Sequence, residues 1–206
     1  MKTPSLDRRQ LMQMLLTTMV GSTVVNSPAW ASPLTAGQFS KSSESREVFL
    51  PPGSGRKGKV SANDITFKFD KSQTSGHLGS AELILYPGMM GAAPHFHHSF
   101  DEICGVMEGT VTVMVGEKVT DLPTGAWHLR PKGQVHSFWN GGKVPSRAIE
   151  LYIPGGHEEF MKALTEIFAK SERPPRDEIE NLGKKYDTTF VWERLPQILE
   201  KYGVRL

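Results

Sequence analysis

The middle of the chain alternates apolar and polar positions in short runs, which is the pattern of half-buried β-strands. Residues 65–69 show it most clearly, because Ile65, Phe67 and Phe69 alternate with Thr66 and Lys68. Further strands are predicted over residues 81–86, 103–107, 110–115, 118–122, 126–130, 135–140 and 147–153. Glycine and proline separate most of these runs, and short strands at such spacing are typical of a sandwich or barrel.

Two stretches predict specific connections. Residues 51–59 (PPGSGRKGK) have the composition of a loop. Glu108-Gly109 stands between the strands at 103–107 and 110–115 and predicts a β-hairpin there. In the second of these strands Val111, Val113 and Val115 share one face.

After residue 156 the apolar positions follow a helical period. Residues 157–170 place five large apolar side chains on one stripe: Phe160, Met161, Leu164, Ile167 and Phe168. Pro174-Pro175 ends this helix, and Asp177 is positioned to cap a second helix that runs through Leu182 towards Gly183. Such a stripe predicts core packing rather than a cofactor site.

A third apolar stretch, residues 191–202, is also predicted to be helical, with Pro196 as an early interruption or boundary. We expect residues 47–155 to form the β-barrel and residues 156–206 to form helices that pack outside it or on a second subunit.

The first 31 residues have the pattern of a cleaved export signal. Lys2, Arg8 and Arg9 precede the apolar residues 11–25, and Ala29-Trp30-Ala31 is a small-x-small cleavage site. The apolar part is too short and polar for a membrane span. We therefore expect a periplasmic or secreted protein that starts near residue 32, with residues 32–46 as a flexible arm rich in Ser, Thr and Gly.

The export route has two alternatives. Arg8-Arg9 followed by Gln10-Leu11-Met12 resembles the twin-arginine motif, although Asp7 stands where Ser or Thr is commoner. An ordinary secretory signal is the alternative. Because the twin-arginine route carries folded proteins, it would let the chain fold around manganese or iron before copper can compete.

Composition and charge narrow the possible partners. Without Lys2, Arg8, Arg9 and Asp7, the 24 basic and 22 acidic residues of the whole chain fall to 21 of each. A net charge near zero predicts no nucleic acid and no membrane as a partner after cleavage. The chain has 1 cysteine, which excludes an internal disulfide bond. Its length after cleavage predicts one domain.

Three histidines and one glutamate have the spacing of a shared metal site. His95 and His97 lie two positions apart, so both point to the same face of a strand. Glu102 has the wrong parity for the same uninterrupted strand, which predicts a turn or bulge within residues 98–101. His136 follows the turn signal at 131–133 and must come from another strand. Ligands from separate strands meet on one inner face only in a closed or nearly closed sheet.

Three imidazoles and one carboxylate suit a divalent transition metal with open coordination positions. The two stretches that carry them resemble the two motifs of the cupin family. Residues 95–109 read H-x-H-x(4)-E-x(6)-G, and residues 125–140 read G-x(5)-P-x-G-x(2)-H-x(3)-N. Gly88 or Gly91 takes the place of the leading glycine, one position from its usual spacing. The resemblance implies an all-β fold, a small antiparallel jelly-roll (cupin) barrel with a C-terminal helical extension.

The resemblance also implies a ligand set and an activity. The metal ligands would be His95, His97, Glu102 and His136, with Glu102 also acting as the catalytic base. Residues 48–190 resemble, more weakly, single-domain cupins of the quercetin-dioxygenase type. We therefore expect a metal-dependent dioxygenase that acts on a small oxygenated organic molecule. A binding protein without turnover, or an isomerase or decarboxylase, is the alternative. The metal is one of Mn, Fe, Ni, Cu or Zn, with Mn or Fe favoured, and a homodimer is expected.

Several neighbours of the motif stay open as contributors. His98 is a candidate ligand or proton shuttle, Asp101 a candidate substitute for Glu102, and Cys104 a candidate for either the cavity wall or the core. Asn140 is expected to fix its strand. Candidate cavity walls are Tyr86, Met107, Trp127 and Trp139. Arg130 and Lys132 are placed at the rim of a turn, and no motif includes His77, His128 or His157.

Overall fold

The structure is a computed structural model that describes residues 47–206, so the predicted export signal and flexible arm lie outside the described residues. Eleven strands are present in this part of the chain: β1 Arg56–Val60, β2 Asn63–Phe69, β3 Gly79–Leu85, β4 Met90–Phe96, β5 Asp101–Glu108, β6 Thr110–Val115, β7 Lys118–Pro123, β8 Trp127–Arg130, β9 His136–Trp139, β10 Ser146–Ile153 and β11 Thr189–Phe190. Its α-helices are α1 His157–Lys170, α2 Arg176–Lys185 and α3 Leu195–Tyr202.

The strands form two antiparallel sheets that enclose one core. The six-stranded sheet has the order β1-β2-β3-β10-β5-β8, and the five-stranded sheet has the order β11-β4-β9-β6-β7. Apolar side chains from both sheets meet between them, including Ile65, Leu83, Val113 and Phe138. The sequence prediction of an all-β jelly roll with a C-terminal helical extension is confirmed.

The predicted hairpin at Glu108-Gly109 is wrong. β5 pairs with β10 and β8, whereas β6 pairs with β7 and β9, so this turn carries the chain from one sheet to the other. Gly109 has a φ of 72° and its Cα approaches Ser146 so closely that a Cβ would lie 3.1 Å from the Ser146 Cα. Glycine suits both requirements. The glycine that is typical of a hairpin turn therefore lies here in a connection between the two sheets.

The prediction of a loop over 51–59 is wrong in its second half. Residues from Arg56 onwards form the edge strand β1, whose backbone pairs with β2. The strand has no clear apolar face because most of its side chains are exposed. Gly58 has a packing reason, since a Cβ at this position would lie 2.6 Å from a methyl group of Thr165 on α1.

The helices agree with the apolar stripes, and the ends of α2 differ from the prediction. α1 covers the predicted 157–170, with Phe160 and Leu164 buried. Pro175, not Asp177, precedes the first residue of α2, and this helix continues past Leu182 to Lys185. Proline suits this position because its φ is fixed and its missing N–H is not needed there. No helix in the described part of the chain is long and apolar enough to cross a membrane.

The helix α3 packs on the outer side of the five-stranded sheet. Its Leu195 and Ile198 form a second core cluster with Met90, Met114 and Trp139. The strand β6 is therefore buried on both faces, with Val113 in the barrel core and Met114 under α3. This second cluster connects the C-terminal segment to the strands β4 and β9.

We expect Ile198→Ala to destabilise the protein by about 2–4 kcal/mol, because a buried isoleucine leaves a cavity that its neighbours fill only in part. Ile198 is 5% exposed. Urea unfolding followed by circular dichroism measures the change. The neighbouring exposed Gln197→Ala serves as the control, and equal stability of the two variants would contradict the packing of α3 on the sheet.

Candidate metal centre

The four residues of the predicted metal site lie together inside the barrel. His95 is in β4 and pairs in register with His136 at the start of β9, His97 follows directly after β4, and Glu102 is in β5. All four side chains are buried, and one ligand atom from each lies within 4.8 Å of the others. The turn at 98–100 between β4 and β5 interrupts the alternation of side chains, so that Glu102 joins His95 and His97 although it lies an odd number of positions away. The sequence predicts such a turn.

The three histidine rings are oriented by the backbone. His95 Nδ1 lies 2.7 Å from the Ala93 carbonyl oxygen, His97 Nδ1 3.0 Å from that of Asp187, and His136 Nδ1 2.9 Å from that of Gln134. A carbonyl oxygen only accepts hydrogen bonds, so each Nδ1 carries the proton and donates. Each Nε2 then keeps its lone pair. This is how metal-binding histidines are held by their surroundings.

Two of the free Nε2 lone pairs, those of His97 and His136, face a carboxylate. Oxygens of Glu102 lie 3.1 Å from His136 Nε2 and 3.5 Å from His97 Nε2. Among residues 47–206, His97 Nε2 has no hydrogen-bond partner. Acceptor atoms that face one another across a buried space repel unless a cation lies between them. The donor set therefore fits one divalent metal.

The charges around the cluster keep the ligands in the form that binds metal. Burial raises the pKa of Glu102, but the nearby Arg130 guanidinium acts in the opposite direction, and the pKa of this carboxyl lies well below its usual range. Burial also lowers the pKa of His95 well below its usual value, and His136 and His97 add to the effect. At neutral pH the carboxylate is charged and this imidazole is neutral.

Arg130 is a buried residue and does not lie at a rim, so that prediction is wrong. It is opposite Glu102 in the β5–β8 pair, with Nε 3.4 Å from Glu102 Oε2, and its guanidinium forms an ion pair with Glu150. The guanidinium also lies 4.8 Å from the centre of the Phe138 ring. The register of β8 turns this side chain inward, which the Pro131 turn signal alone does not reveal.

The other candidates near the motif lie outside the cluster. His98 is exposed. Asp101 accepts a hydrogen bond from the Lys132 backbone N–H at 2.8 Å and so holds the neighbouring turn. Cys104 is in the barrel core, where burial raises the pKa of its thiol. Asn140 donates to the carbonyl oxygens of Leu85 and Val144 and fixes its strand end, as expected.

Asp187 connects the C-terminal segment to the metal cluster, and nothing in the sequence motifs indicates it. Its carboxylate accepts hydrogen bonds from the backbone N–H groups of His98 and Ser99 and from the Ser99 hydroxyl. Its own carbonyl oxygen holds His97 Nδ1. Asp187 has a φ of 56°, a conformation that Asp and Asn tolerate better than most residues. The residue fixes both the β4–β5 turn and one histidine ring.

We expect Asp187→Ala to weaken zinc binding about tenfold, because loss of a group that orients a ligand typically costs between ten- and a hundredfold in metal affinity. Competition with a chromophoric chelator measures the dissociation constant. Asp187→Asn keeps the backbone preference and an accepting oxygen, so it should lose less. Unchanged affinity in both variants would show that the turn needs no support from Asp187.

A cavity of about 80 Å³ lies beside the cluster and reaches His95 and Glu102. The barrel supplies one part of its wall, including Leu83, Phe138 and Tyr152, and the C-terminal segment supplies the other. The residues from that segment include Phe160, Leu164, Phe168, Ile179, Phe190 and Trp192. The stripe of α1, which we expected to be core, thus forms part of the cavity wall.

The four aromatic and sulfur side chains expected in the wall lie elsewhere. Trp127 is 61% exposed and Met107 is 42% exposed. Trp139 packs in the second cluster under α3, and the Tyr86 hydroxyl donates to Asp64. Strand parity does not predict these positions, because it does not reveal which strand faces the C-terminal segment covers, and α3 covers the face that carries Trp139.

His157 is the site residue that the motifs miss. It is the first residue of α1, it is buried, and its Nε2 lies 3.5 Å from Glu102 Oε1. Its ring centre is 4.8 Å from that of His97. Its position at the start of the apolar helix, directly after the last long strand, is the only sequence signal that points to it.

Comparison with known proteins finds one family model that matches part of this fold. Residues 81–152 match the family model described as "Cupin domain". This stretch runs from β3 to β10 and includes all four residues of the cluster. No curated protein matches the chain significantly.

Solved structures resemble the barrel only distantly. KdgF from Halomonas sp. is 18% identical with a TM-score of 0.49, and the match covers 55% of this chain and 99% of that one. An RmlC-like cupin from Shewanella frigidimarina is 16% identical with a TM-score of 0.47, covering 55% and 96%. A predicted oxalate decarboxylase from Thermotoga maritima is 19% identical with a TM-score of 0.43, covering 45% and 80%. These likenesses carry no argument about the activity of this chain.

Proposed function

We propose that His95, His97, Glu102 and His136 bind one divalent transition metal, and that the protein is a metal-dependent oxidoreductase of the dioxygenase type. The observation that carries the proposal is the tethering of three Nδ1 atoms to backbone carbonyl oxygens, which leaves three Nε2 lone pairs free in a buried cluster whose ligand atoms lie within 4.8 Å of one another. When bound, such a metal polarises a substrate oxygen and supports exchange of electrons with dioxygen.

Among the possible metals, the ligand types favour manganese or iron. Imidazole suits iron, nickel, copper and zinc, whereas a carboxylate adds preference for harder ions such as manganese. The cluster contains no thiolate, because Cys104 is in the barrel core. A soft metal such as copper(I) therefore has no preferred ligand in this cluster.

The cavity favours a small uncharged substrate. Its wall is mainly apolar, and its charged lining residues in the described part of the chain are the acidic Glu102 and Glu150. A substrate with a phosphate or several carboxylates would meet negative charge there and no lysine or arginine among the described lining residues. An oxygenated aromatic molecule fits these properties better.

Glu102 has the position and charge for its proposed second role. It lines the cavity as well as the metal cluster, and the guanidinium of Arg130 keeps it ionised. An ionised carboxylate can accept a proton from a substrate hydroxyl. The same guanidinium lowers its basicity, so Glu102 releases that proton again readily.

The direct test is oxygen consumption by protein loaded with Mn²⁺ or Fe²⁺ and supplied with aromatic diols, flavonols and oxalate. We expect uptake that requires metal and an aromatic substrate and that is lost in Glu102→Gln, with His98→Ala as the active control. Conversion without oxygen would instead indicate an isomerase or decarboxylase. Stoichiometric metal without any conversion would indicate a binding protein.

Location and assembly stay predictions. The pattern of residues 1–31 supports export to the periplasm or beyond, and a homodimer is expected. Expression of the full chain with substitution of Arg8-Arg9 by Lys-Lys would test the twin-arginine route, since that route should then fail while general secretion continues.

A further inference from the structure

The outer face of the six-stranded sheet is apolar over its last three strands, β10, β5 and β8. Strand parity places six large apolar side chains on this face: Ile103, Met107, Trp127, Leu129, Ile149 and Leu151. We name these six residues the β8 face. Trp127 and Leu129 are more than half exposed, whereas α3 covers the outer side of the other sheet. Contiguous exposed apolar surface is typical of a site that binds another molecule.

The register of the strands joins the β8 face into rows. Leu129 pairs with Ile103, which pairs in turn with Leu151. In the neighbouring row Trp127 lies opposite Gly105, and a Cβ on this glycine would lie 2.8 Å from two carbon atoms of the Trp127 ring. The ring therefore lies against the sheet, where glycine leaves room for it. An aromatic side chain held in this way is typical of the residues that contribute most to an interface.

Charged side chains border the β8 face on one side. Glu82 forms ion pairs with Lys68 at 3.2 Å and with Arg147 at 3.4 Å, and Arg147 also pairs with Glu108 at 3.1 Å. These residues connect the strands β2, β3, β10 and β5. The face thus has an uncharged centre and a border that carries both signs of charge, which is the anatomy of a protein–protein interface.

Two exposed charges lie at opposite ends of the face. Cys104 and His128 are opposite each other in the middle of the antiparallel pair of β5 and β8. Glu108 lies four positions after Cys104, and Lys132 lies four positions after His128. Because the two strands run in opposite directions, the two charges lie on opposite sides of this centre and at similar distances from it. A surface that carries one charge at each end can match a copy of itself.

We propose that the β8 face binds the same face of a second copy of this chain, around a two-fold axis that lies between the two sheets and runs across the strands. This symmetry reverses the strand direction in the second copy. Trp127 then packs on the row of the partner subunit's Leu129, and Lys132 lies near the partner subunit's Glu108. An axis along the strands would instead place Lys132 beside the partner subunit's Lys132, where like charges repel.

The proposal names the surface of the expected homodimer and does not depend on the metal cluster. Trp127 and Leu129 point away from the barrel interior, where the four residues of the cluster lie. Dimer formation and metal binding are therefore measured separately, and failure of one proposal leaves the other unchanged.

Sedimentation velocity of the purified protein over a dilution series measures the dimer dissociation constant. We expect a dimer in the parent protein. Trp127→Glu and Leu129→Glu should each raise the dissociation constant by at least about thirtyfold, the effect typical of losing a central side chain of an interface. Phe49→Glu is the control, because Phe49 is an exposed apolar residue outside the β8 face, and its dimer should equal that of the parent.

Exchange of the two end charges tests the direction of the second copy. Lys132→Glu and Glu108→Lys should each weaken the dimer about fivefold, and the double variant should return to within about twofold of the parent. Glu108 also pairs with Arg147 of its own subunit. Loss of that pair alone would not be repaired by Lys132→Glu, so recovery in the double variant reports the contact between subunits.

Several outcomes would overturn the proposal. They are a parent protein that stays monomeric at every concentration, a dimer that persists in both Trp127→Glu and Leu129→Glu, equal dissociation in Phe49→Glu, and a double charge variant no tighter than the single variants. A monomeric parent also contradicts the expected homodimer, whereas a persistent dimer means that another surface forms it. Circular dichroism shows which variants are folded, and if Trp127→Glu is unfolded, Leu129→Glu decides.

Discussion

His136→Ala is expected to lower the affinity for a divalent metal by at least about a hundredfold, since even loss of a group that only orients a ligand costs between ten- and a hundredfold. The variant removes one of the three Nε2 lone pairs and leaves the Glu102 carboxylate without its nearest imidazole, 3.1 Å away. His136 is buried between two sheets, so water does not replace the lost ligand without a rearrangement.

Zinc titration against a chromophoric chelator measures this affinity in parent and variant. His98→Ala is the matched control, because it removes an exposed imidazole next to the cluster, and its affinity should equal that of the parent. Equal loss in both variants would mean that zinc binds at the surface of the β4–β5 turn and not in the barrel.

Arg130→Met is expected to destabilise the protein by about 3–5 kcal/mol, the cost of removing one partner from a buried ion pair. Arg130 is 1% exposed and lies between two buried carboxylates, those of Glu102 and Glu150. Methionine fills a similar volume but leaves both negative charges without compensation. In the metal-free protein, one of them must then take up a proton or the fold must open.

Denaturant unfolding of the metal-free protein at neutral pH tests this prediction. The double variant Arg130→Met and Glu150→Gln should recover part of the loss, because it removes one of the uncompensated charges. Arg147→Met is the control: its side chain is 38% exposed and its ion pairs are expected to matter little. A loss in Arg130→Met no larger than in this control would contradict the proposed role of Arg130.

The sequence predicts those parts of the fold that depend on short-range patterns. Alternation identifies β2 and β6, and the apolar stripe identifies α1. The two motifs identify a cluster with members on three strands and one member directly after the strand β4. His95 and His97 need only strand geometry to share a face, and the turn before Glu102 follows from parity.

The remaining parts depend on contacts between distant segments. Asp187 reaches the β4–β5 turn from about 90 positions further along the chain, and His157 meets Glu102 across 55 positions. Arg130 faces inward because of the register between β5 and β8. The turn at Gly109 has a hairpin signal, yet the barrel uses it to change sheets, since a local signal does not specify which strand pairs with which.

Elemental analysis of the protein purified from its native compartment, beside His136→Ala, shows whether the four buried residues hold a metal. We expect one equivalent of a redox-active divalent metal in the parent protein and its loss in the variant. A parent protein without metal, in which the four residues still lie together, would contradict the metal centre and with it the dioxygenase proposal.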